Sequence, residues 1–269
     1  MDAIKLIASD MDHTLLTEKG EIPPNFDDYI PKLEKLGIDF VIASGRPLYT
    51  LYGLFPEMKD RMSFISDNGG IIIRKGEIIF KSLLERAAYR SMIKFTEEAT
   101  PGVAILCALD AAFISEKYKK YENHLKTFYL KIKFVKDLEE CVEEACKFTV
   151  YFPDKNSAEY YESAFKPRYG GDFSVTIGDT IWIDIMNKGI DKGKAMRVLA
   201  ERLNIGCENM AAFGDTYNDI EMLQSVKHSY IVKNASEDMK KYANFTADSN
   251  DNFGVLKVLD TIIRNNGFL

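Results

Sequence analysis

Short apolar runs that stop abruptly at polar residues recur along the chain. The first run, from Ile4 to Ala8, is followed by Ser9 and then by two carboxylates, Asp10 and Asp12. A short and mostly apolar run is typical of a buried parallel strand. Ligands of open α/β sheets bind beyond the carboxyl ends of such strands. The pattern therefore predicts a strand that brings two carboxylates to a ligand-binding edge.

The rest of the first 82 residues alternates between strand-like and helix-like segments. We predict a helix over 25–36, a strand over 38–43, a helix over 47–58, a strand over 62–66 and a hairpin over 71–80. Short apolar strands joined by helices favour parallel pairing with right-handed crossovers. This stretch therefore predicts a parallel sheet.

The regular alternation of short apolar strands and helices stops near Leu83 and returns after Asn187. Between them we predict helices over 83–99, 138–145 and 157–168, a helical stretch that ends near 128, and strands over 102–109, 112–115, 131–135, 146–152, 173–177 and 181–186. After them we predict a helix that begins at 192, strands over 210–213, 229–232 and 245–247, and helices through 222–223 and over 255–263. The simplest architecture is a parallel-sheet core formed by residues 1–82 and 188–269, with residues 83–187 inserted as a separate α+β domain.

Composition and charge narrow the functional class. The chain has 269 residues, a formal net charge of −6 and a sequence pI near 5.3, which argues against a protein that binds nucleic acid or anionic membranes. Its four cysteines form no CxxC pair, so they indicate neither a zinc site nor a disulfide framework. The sequence has no signal-like start and no apolar run that approaches the ~20 residues needed to span a bilayer. We therefore expect a cytoplasmic protein.

Four polar clusters lie where a predicted strand ends or a predicted helix begins. They are Asp10, Asp12 and Thr14; Ser44, Gly45 and Arg46; Lys192; and Asp215, Asn218 and Asp219. In a parallel sheet, all four would meet at the same edge. Several acids, a lysine and small hydroxyl groups in one place suggest a hard cation and an anionic substrate. Mg²⁺ fits, since it prefers a few carboxylates together with water and substrate phosphate oxygens.

The order of these clusters resembles that of the haloacid dehalogenase (HAD) superfamily. Four sequences, DMDHT, ASGRP, DKGKA and GDTYND, are similar to its four motifs, and the insertion between the second and third resembles the C2B cap of the Cof-type phosphatases. The tail VKNASEDMKKYANFTADSNDNFGVLKVL is similar to that subfamily's C-terminal pattern. The resemblance implies an α/β fold with a Rossmann-like parallel-sheet core and an inserted α+β cap. It also implies a Mg²⁺-dependent phosphatase that acts on small phosphorylated metabolites such as sugar phosphates, with specificity mainly in the cap.

The resemblance assigns chemical roles to the first motif residues. Asp10 resembles the nucleophile that forms an aspartyl-phosphate, and Asp12 resembles the general acid and base. Mg²⁺ would be held by carboxylate oxygens of Asp10 and Asp215 and by the backbone carbonyl of Asp12. Ser44 and the amide of Gly45 resemble donors to a phosphoryl oxygen.

The remaining motif residues would position the phosphate or the nucleophile. Lys192 would place a positive charge over both, with Asp219 holding the lysine in position. Asn218 resembles a ligand to phosphate or to metal-bound water, and Thr14 would orient the acidic loop. Arg46 would either reach the substrate or brace its own loop, and both interpretations stay open.

Other features leave alternatives open. His13 stands where the family usually has glycine, and it either tolerates the backbone geometry there or titrates near neutrality and biases the pH profile. Asn68 and Asn234 are either further polar ligands or turn residues. A run of lysines and tyrosines over 117–136 is either a solvated face or a surface for anionic substrates. Trp182 belongs either to the core of the cap or to the rim of the site.

Two other functions would use the same residues differently. In a phosphotransferase or phosphomutase, a sugar hydroxyl rather than water would dephosphorylate Asp10. A non-catalytic regulator would bind a metabolite and use no chemistry, but the intact set of acids, lysine and serine argues against it. No obligate protein partner is evident from the sequence.

Overall fold

A computed structural model describes residues 3–269, except for the side chain of Asp179. The strands are β1 (Leu6–Ser9), β2 (Asp39–Ala43), β3 (Ser63–Ser66), β4 (Ile71–Arg74), β5 (Glu77–Lys81), β6 (Val103–Ala108), β7 (Ala112–Ser115), β8 (Ile132–Val135), β9 (Ala145–Tyr151), β10 (Phe173–Asp179), β11 (Trp182–Asn187), β12 (Met210–Gly214), β13 (His228–Val232) and β14 (Phe245–Ala247). The α-helices are α1 (Tyr29–Lys35), α2 (Leu48–Leu54), α3 (Arg86–Ala99), α4 (Glu122–Leu125), α5 (Ser157–Tyr160), α6 (Lys166–Tyr169), α7 (Lys192–Leu203), α8 (Ile220–Gln224) and α9 (Gly254–Arg264). Tighter 3-10 turns span Phe26–Asp28, Asp67–Gly69, Glu116–Tyr121, Cys207–Asn209, Tyr217–Asp219 and Glu237–Tyr242, and wider turns span Met11–Leu15 and Tyr161–Phe165.

The strand that leads to Asp10 lies inside an eight-stranded sheet. The strand order is β14-β13-β12-β1-β2-β3-β4-β5, and the strands from β14 to β3 are parallel, while β4 pairs antiparallel with β3. Every residue of β1 is buried, as expected for a parallel strand covered on both faces. Ser9, at the end of β1, pairs with Phe213 on one side and Ile42 on the other. Strands β12, β1 and β2 therefore end together, and the predicted parallel sheet is confirmed.

Helix α7 approaches its neighbours closely because glycines lie at the contacts. At Gly193, in the first turn of α7, an added β-carbon would overlap the backbone carbonyl of Glu221 in α8. Gly69 has a φ of +104° and lies against the backbone of Asp191, the residue before α7. Since Gly69 follows β3 and Glu221 follows β12, these contacts hold the start of α7 at the carboxyl edge of the sheet.

A second sheet has six strands in the order β10-β11-β9-β6-β7-β8. Its strand pairs are antiparallel except for β7 and β8. Alternate residues of β6 contribute to two cores, as the pleat of a strand requires. One core contains Tyr89 of α3 and Phe165. The other contains Tyr49 of α2, Leu125 and Trp182.

The described chain divides into two compact units. The first holds the residues up to Ser44 together with Phe55–Ile79 and Asp191–Leu269, and the second holds Gly45–Leu54 and Phe80–Ile190. The predicted inserted domain, residues 83–187, differs from the second unit mainly by the absence of Gly45–Leu54. That segment belongs with the second unit because Tyr49 lies in its core and because the Thr50 hydroxyl donates to the carbonyl of Phe128 at 3.2 Å.

The predicted helix over 138–145 is wrong. Residues 138–144 form a turn and irregular chain that leads into β9. A helix here would place glutamates 139 and 143, and glutamates 140 and 144, four residues apart, and like charges at that spacing destabilise a helix. The segment is instead held by Tyr89, whose hydroxyl donates to the carbonyl of Cys141 at 3.1 Å.

The other predicted strands and helices lie close to observed elements, although some are interrupted by tighter or wider turns. The strands predicted over 112–115 and 245–247 coincide with β7 and β14. The predicted fold class, an α/β protein with a parallel-sheet core and an α+β insertion, is confirmed. Across residues 3–269, no helix combines the length and the apolar character needed to cross a membrane.

The close packing of α7 on α8 predicts the effect of one added methyl group. Gly193→Ala is expected to lower the free energy of unfolding by about 1–3 kcal/mol, because the new β-carbon forces two backbones apart. The matched control is Gly171→Ala, since an added β-carbon at Gly171 meets no atom within 4 Å. Urea unfolding of both variants measures the effect. An equal loss in the two variants would contradict the packing explanation.

Candidate active site

Two carboxylates lie at neighbouring strand ends. Asp10 follows β1 and Asp215 follows β12, and the amide of Asp10 donates to the carbonyl of Phe213 at 2.9 Å. The hydroxyl of Thr14, in the turn after β1, donates to a carboxylate oxygen of Asp215 at 3.2 Å. The parallel register thus brings together two segments that are 201 positions apart in sequence.

Lys192 joins these carboxylates from the start of α7. The helix is capped by Asp191, whose carboxylate accepts a hydrogen bond from the amide of Lys194 at 2.6 Å. The side chain of Lys192 is completely buried. Its ammonium donates to Asp10 at 2.5 Å and to Asp219 at 2.7 Å. The cation is therefore fixed between two carboxylates from different parts of the chain.

Asp219 is held at both of its carboxylate oxygens. One oxygen accepts the hydrogen bond from Lys192, and the other accepts from the amides of Asp215 at 3.0 Å and Thr216 at 3.2 Å. Thr216 and Asp219 also form a reciprocal capping box around the turn after β12. These bonds are the ones that the predicted orienting role of Asp219 requires.

Burial and mutual repulsion change the acidity of the cluster. Burial raises the pKa of Asp10 well above its usual value, and the charge of Asp219 adds to this effect while Lys192 opposes it. Burial and Asp219 also raise the pKa of Asp215 to about 7. Burial would lower the pKa of Lys192, but attraction to Asp10 and Asp219 outweighs it and raises that pKa. The cluster therefore holds a charged lysine and more acids than one cation can neutralise.

The donor set fits a divalent cation. Carboxylate oxygens of Asp10, Asp215 and Asp219 all lie within 4.8 Å of one another. Because the oxygens of Asp219 already accept bonds from Lys192 and from backbone amides, Asp10 and Asp215 are the better placed ligands. Asp12 adds negative charge nearby, since it also raises the pKa of Asp10. Oxygen donors with an excess of negative charge are what hard cations such as Mg²⁺ prefer.

The loop that carries Asp12 follows Asp10 directly. The segment Met11–Leu15 forms one wide turn, and Asp12 within it has an extended rather than helical backbone, with φ −72° and ψ 131°. Asp12 is half-buried. His13 has a φ of +57°, in the left-handed region that glycine tolerates best. The backbone at His13 therefore suits the glycine that the motif resemblance implies for this position.

Ser44 lies at the end of β2 and is buried. Its amide donates to the carbonyl of Ile65 at 2.8 Å, and its carbonyl accepts from the amide of Asn68 at 3.1 Å. The backbone at Ser44 is thus fixed between β2 and the turn after β3.

Gly45 and Arg46 belong to the second unit. The guanidinium of Arg46 donates to the carbonyl of Thr127 at 3.2 Å and lies 5.6 Å from the ring centre of Phe128. These contacts agree with the alternative in which Arg46 braces its own loop. The carbonyl of Gly45 accepts a hydrogen bond from the ammonium of Lys147 at 2.6 Å.

Two predicted asparagines contact each other in the first unit. The side-chain amide of Asn218 donates to the side-chain oxygen of Asn68 at 3.1 Å. The oxygen of Asn218 is buried and has no hydrogen-bond partner among the described residues, which is unusual for a buried polar atom. Asn68 has a φ of +54°, so it also serves as a turn residue. A ligand that donates a hydrogen bond, such as a metal-bound water, would satisfy Asn218.

Asn234 does not join this pair. Its side-chain amide donates to the carbonyl of His13 at 2.8 Å. Asn250, which is not among the predicted site residues, is buried and donates to the carbonyl of Leu16 at 3.0 Å. The resemblance of the C-terminal segment to a family pattern was the available signal for Asn250, but that pattern gave it no role.

Lys147 and Asp184, in the second unit, are also absent from the predicted site. Both are buried, their charged atoms lie 3.4 Å apart, and Asp184 accepts a hydrogen bond from the hydroxyl of Thr149 at 2.6 Å. A lysine inside the mostly apolar strand β9 was the signal that could have found this pair.

The structure gives the surroundings of two features in the second unit that were left open. Trp182 is buried and packs edge-on against Phe128 at 5.1 Å between ring centres, so it belongs to the core. Three lysines of the 117–136 run have exposed side chains and form ion pairs: Lys117 with Glu97, Lys126 with Glu122, and Lys133 with Asp110. Such pairs are typical of a solvated face.

Known proteins are similar to this chain over almost its whole length. A family profile described as haloacid dehalogenase-like hydrolase matches residues 7–259. One curated relative is the 5-amino-6-(5-phospho-D-ribitylamino)uracil phosphatase YbjI of Escherichia coli (strain K12), 29% identical over 269 residues, with 97% of each chain covered. Another is the 5-amino-6-(5-phospho-D-ribitylamino)uracil phosphatase YcsE of Bacillus subtilis (strain 168), 26% identical, with 95% of this chain and 94% of the relative covered.

A solved structure agrees with these sequence relatives. SMU.1108c from Streptococcus mutans UA159 is 32% identical and superposes with a TM-score of 0.91, with 97% of this chain and 100% of that chain covered. The resemblance drawn from the four motifs is confirmed. The chain belongs to the haloacid dehalogenase-like hydrolase family.

Proposed function

We propose that the protein is a Mg²⁺-dependent phosphomonoesterase that hydrolyses small phosphorylated metabolites through an aspartyl-phosphate on Asp10. The observation that carries the proposal is the buried ammonium of Lys192, which contacts both Asp10 and Asp219. A fixed positive charge beside the nucleophile attracts a phosphate dianion and stabilises charge that develops during its transfer. The two curated relatives, both named as phosphatases, support the same conclusion.

The reaction has two halves. In the first, a carboxylate oxygen of Asp10 attacks phosphorus, the bond from phosphorus to the leaving-group oxygen breaks, and Asp12 gives its proton to the departing alkoxide. In the second, Asp12 takes a proton from water, the resulting hydroxide attacks the same phosphorus, and the bond to Asp10 breaks. Inorganic phosphate leaves and both aspartates return to their starting states.

The surrounding residues hold the phosphate for both halves. Asp10 and Asp215, with the carbonyl of Asp12, would hold Mg²⁺, which when bound supplies positive charge that offsets repulsion between carboxylate and phosphate. Ser44 and the amide of Gly45 would donate to a phosphoryl oxygen, and the unsatisfied buried oxygen of Asn218 would accept a hydrogen bond from metal-bound water. Binding by several fixed donors favours transfer chiefly through positioning.

The substrate class is a small phosphate ester. The proposed cap, residues 83–187, would cover the leaving group and exclude water, as mobile caps and lids do in other enzymes. The names of the two curated relatives make 5-amino-6-(5-phospho-D-ribitylamino)uracil a first substrate to test. Hexose monophosphates belong in the same panel because the motif resemblance implies sugar phosphates.

Replacing the nucleophile tests the proposed reaction. Asp10→Asn is expected to lower kcat for a phosphate ester by about 10³-fold or more, because an amide cannot form the aspartyl-phosphate. Release of inorganic phosphate with Mg²⁺ present measures the effect, and Asp27→Asn, at an exposed position, is the matched control. Turnover by Asp10→Asn at the wild-type rate would exclude Asp10 as the nucleophile.

The same assay separates hydrolysis from transfer to a second hydroxyl. Inorganic phosphate should appear in equal amount to the alcohol that is released from a hexose monophosphate. An isomeric phosphate ester in place of inorganic phosphate would instead indicate a phosphomutase. Binding of the ester with no product of either kind would indicate a non-catalytic regulator.

The carboxylates proposed as metal ligands predict a Mg²⁺-dependent stability. A ligand that binds only the folded state stabilises it by about 2.7 kcal/mol at 100 times its Kd. Mg²⁺ is therefore expected to raise the Tm of the wild type, and Asp215→Asn is expected to need at least about tenfold more Mg²⁺ for the same rise, because one ligand charge is lost. Thermal unfolding against Mg²⁺ concentration measures this, with Asp27→Asn as control. Identical curves for Asp215→Asn and the control would remove Asp215 from the metal site.

A further inference from the structure

The turn that follows the proposed nucleophile contains an unfavourable residue. His13 has a φ of +57° and a ψ of 4°, and for a residue with a β-carbon the left-handed conformation is populated about 5- to 30-fold less than the right-handed one. Its side chain is 59% exposed and pairs at 3.5 Å with Glu18, which is exposed as well. Exposed pairs of this kind contribute little. The conformation of His13 therefore has to be held through the backbone.

Two asparagines from the C-terminal part of the chain hold that backbone. Asn234 donates to the carbonyl of His13 at 2.8 Å, across 221 positions of sequence. Asn250 donates to the carbonyl of Leu16 at 3.0 Å, across 234 positions. The two are linked, because the side-chain oxygen of Asn234 accepts a hydrogen bond from the amide of Asn250 at 3.0 Å. A third bond, from the amide of Glu18 to Asp251 at 2.9 Å, ties down the end of the same loop.

The two anchored carbonyls lie on either side of Thr14 in the sequence. Because the peptide unit is planar, fixing the carbonyl of His13 also fixes the orientation of the Thr14 amide. The hydroxyl of Thr14 is the group that reaches Asp215 at 3.2 Å. The peptide unit that precedes His13 joins it to Asp12. A change in the His13 backbone would therefore move both the proposed acid–base residue and the contact to Asp215.

We propose that Asn234 and Asn250 form a clamp that holds the Asp10–Thr14 loop in its reactive conformation by stabilising left-handed His13. Asn234 is then a positioning residue rather than a ligand to phosphate. Its amide donates to His13 while its oxygen accepts from Asn250, a combination that neither aspartate nor alanine provides. The role of the loop in catalysis rests on the proposed function, whereas the anchoring of the backbone does not.

Testing Asn234→Ala both with His13 in place and together with His13→Gly separates the effect of the clamp from a general loss of stability. Glycine adopts positive φ about as readily as negative φ, so His13→Gly removes the reason for the clamp. Asn234→Ala is expected to lower kcat about 5- to 30-fold with His13 in place, but only about twofold in the His13→Gly background. KM for the phosphate ester should change less than kcat. Asn234 lies at the surface, so its replacement leaves the core packing intact.

Asn209→Ala is the matched control. The side-chain amide of Asn209 also donates to a backbone carbonyl, that of Ala3 at 2.7 Å. Ala3 precedes the start of β1, whereas Asp10 follows its end. Its effect on kcat should be the same with His13 as with glycine at residue 13. An Asn234→Ala loss of the same size in the two backgrounds, or no loss in either, would overturn the clamp.

Hydrogen exchange tests the clamp without any activity. In Asn234→Ala, amides of the loop and of Leu16 just after it should exchange at least about fivefold faster than in the wild type. The Leu16 amide reports on the loop because it donates to the carbonyl of Met11 at 2.8 Å. Asn209→Ala should leave their exchange unchanged. Unchanged exchange in Asn234→Ala would also overturn the clamp. A wild-type protein that releases no phosphate would refute the proposed function, and the exchange result would still decide whether the clamp exists.

Discussion

The candidate site depends on one buried ammonium between two carboxylates. Taking a charged lysine out of water costs several kcal/mol unless close partners compensate, and Lys192 has Asp10 and Asp219 at 2.5 and 2.7 Å. The lysine in turn favours the charged form of the acids, since burial and mutual repulsion raise the pKa of Asp10 and Asp215 and the charge of Lys192 opposes that rise. Burying any one of these charges without its partners would therefore destabilise the folded protein. The cluster constrains every segment that contributes to it.

The topology of the first sheet satisfies that constraint. Parallel strands β1 and β12 end in register, so Asp10 and Asp215 arrive at one edge without any further adjustment. Lys192 comes from a helix rather than from a strand end, and its position depends on the close approach that Gly193 and Gly69 permit. The arrangement combines a general property of parallel sheets with two local contacts that only a small residue allows.

Much of this arrangement could be predicted from sequence because it follows from short-range pattern. Apolar runs that end in acids identify β1 and β12, and parallel pairing then implies that their ends converge. The helix predicted over 138–145 is wrong because only the apolar spacing of this segment suits a helix. Its paired glutamates and its hydrogen bond to Tyr89 do not. The hydrogen-bond partners of Asn234 and Asn250 could not be predicted from the sequence pattern, since each bond joins residues more than 200 positions apart. The buried pair of Lys147 and Asp184 likewise depends on tertiary pairing of two strands.

The strength of the Lys192 cluster can be measured directly by urea unfolding in metal-free buffer near pH 7. Lys192→Met is predicted to lower the free energy of unfolding by about 3–5 kcal/mol, because it leaves Asp10 and Asp219 buried without their cation. Lys194→Met, the same change on the same helix at a half-buried position, is predicted to alter it by less than about 1 kcal/mol. Equal and small effects of the two substitutions would contradict the account, since the ammonium of Lys192 would then not be what holds the acids together.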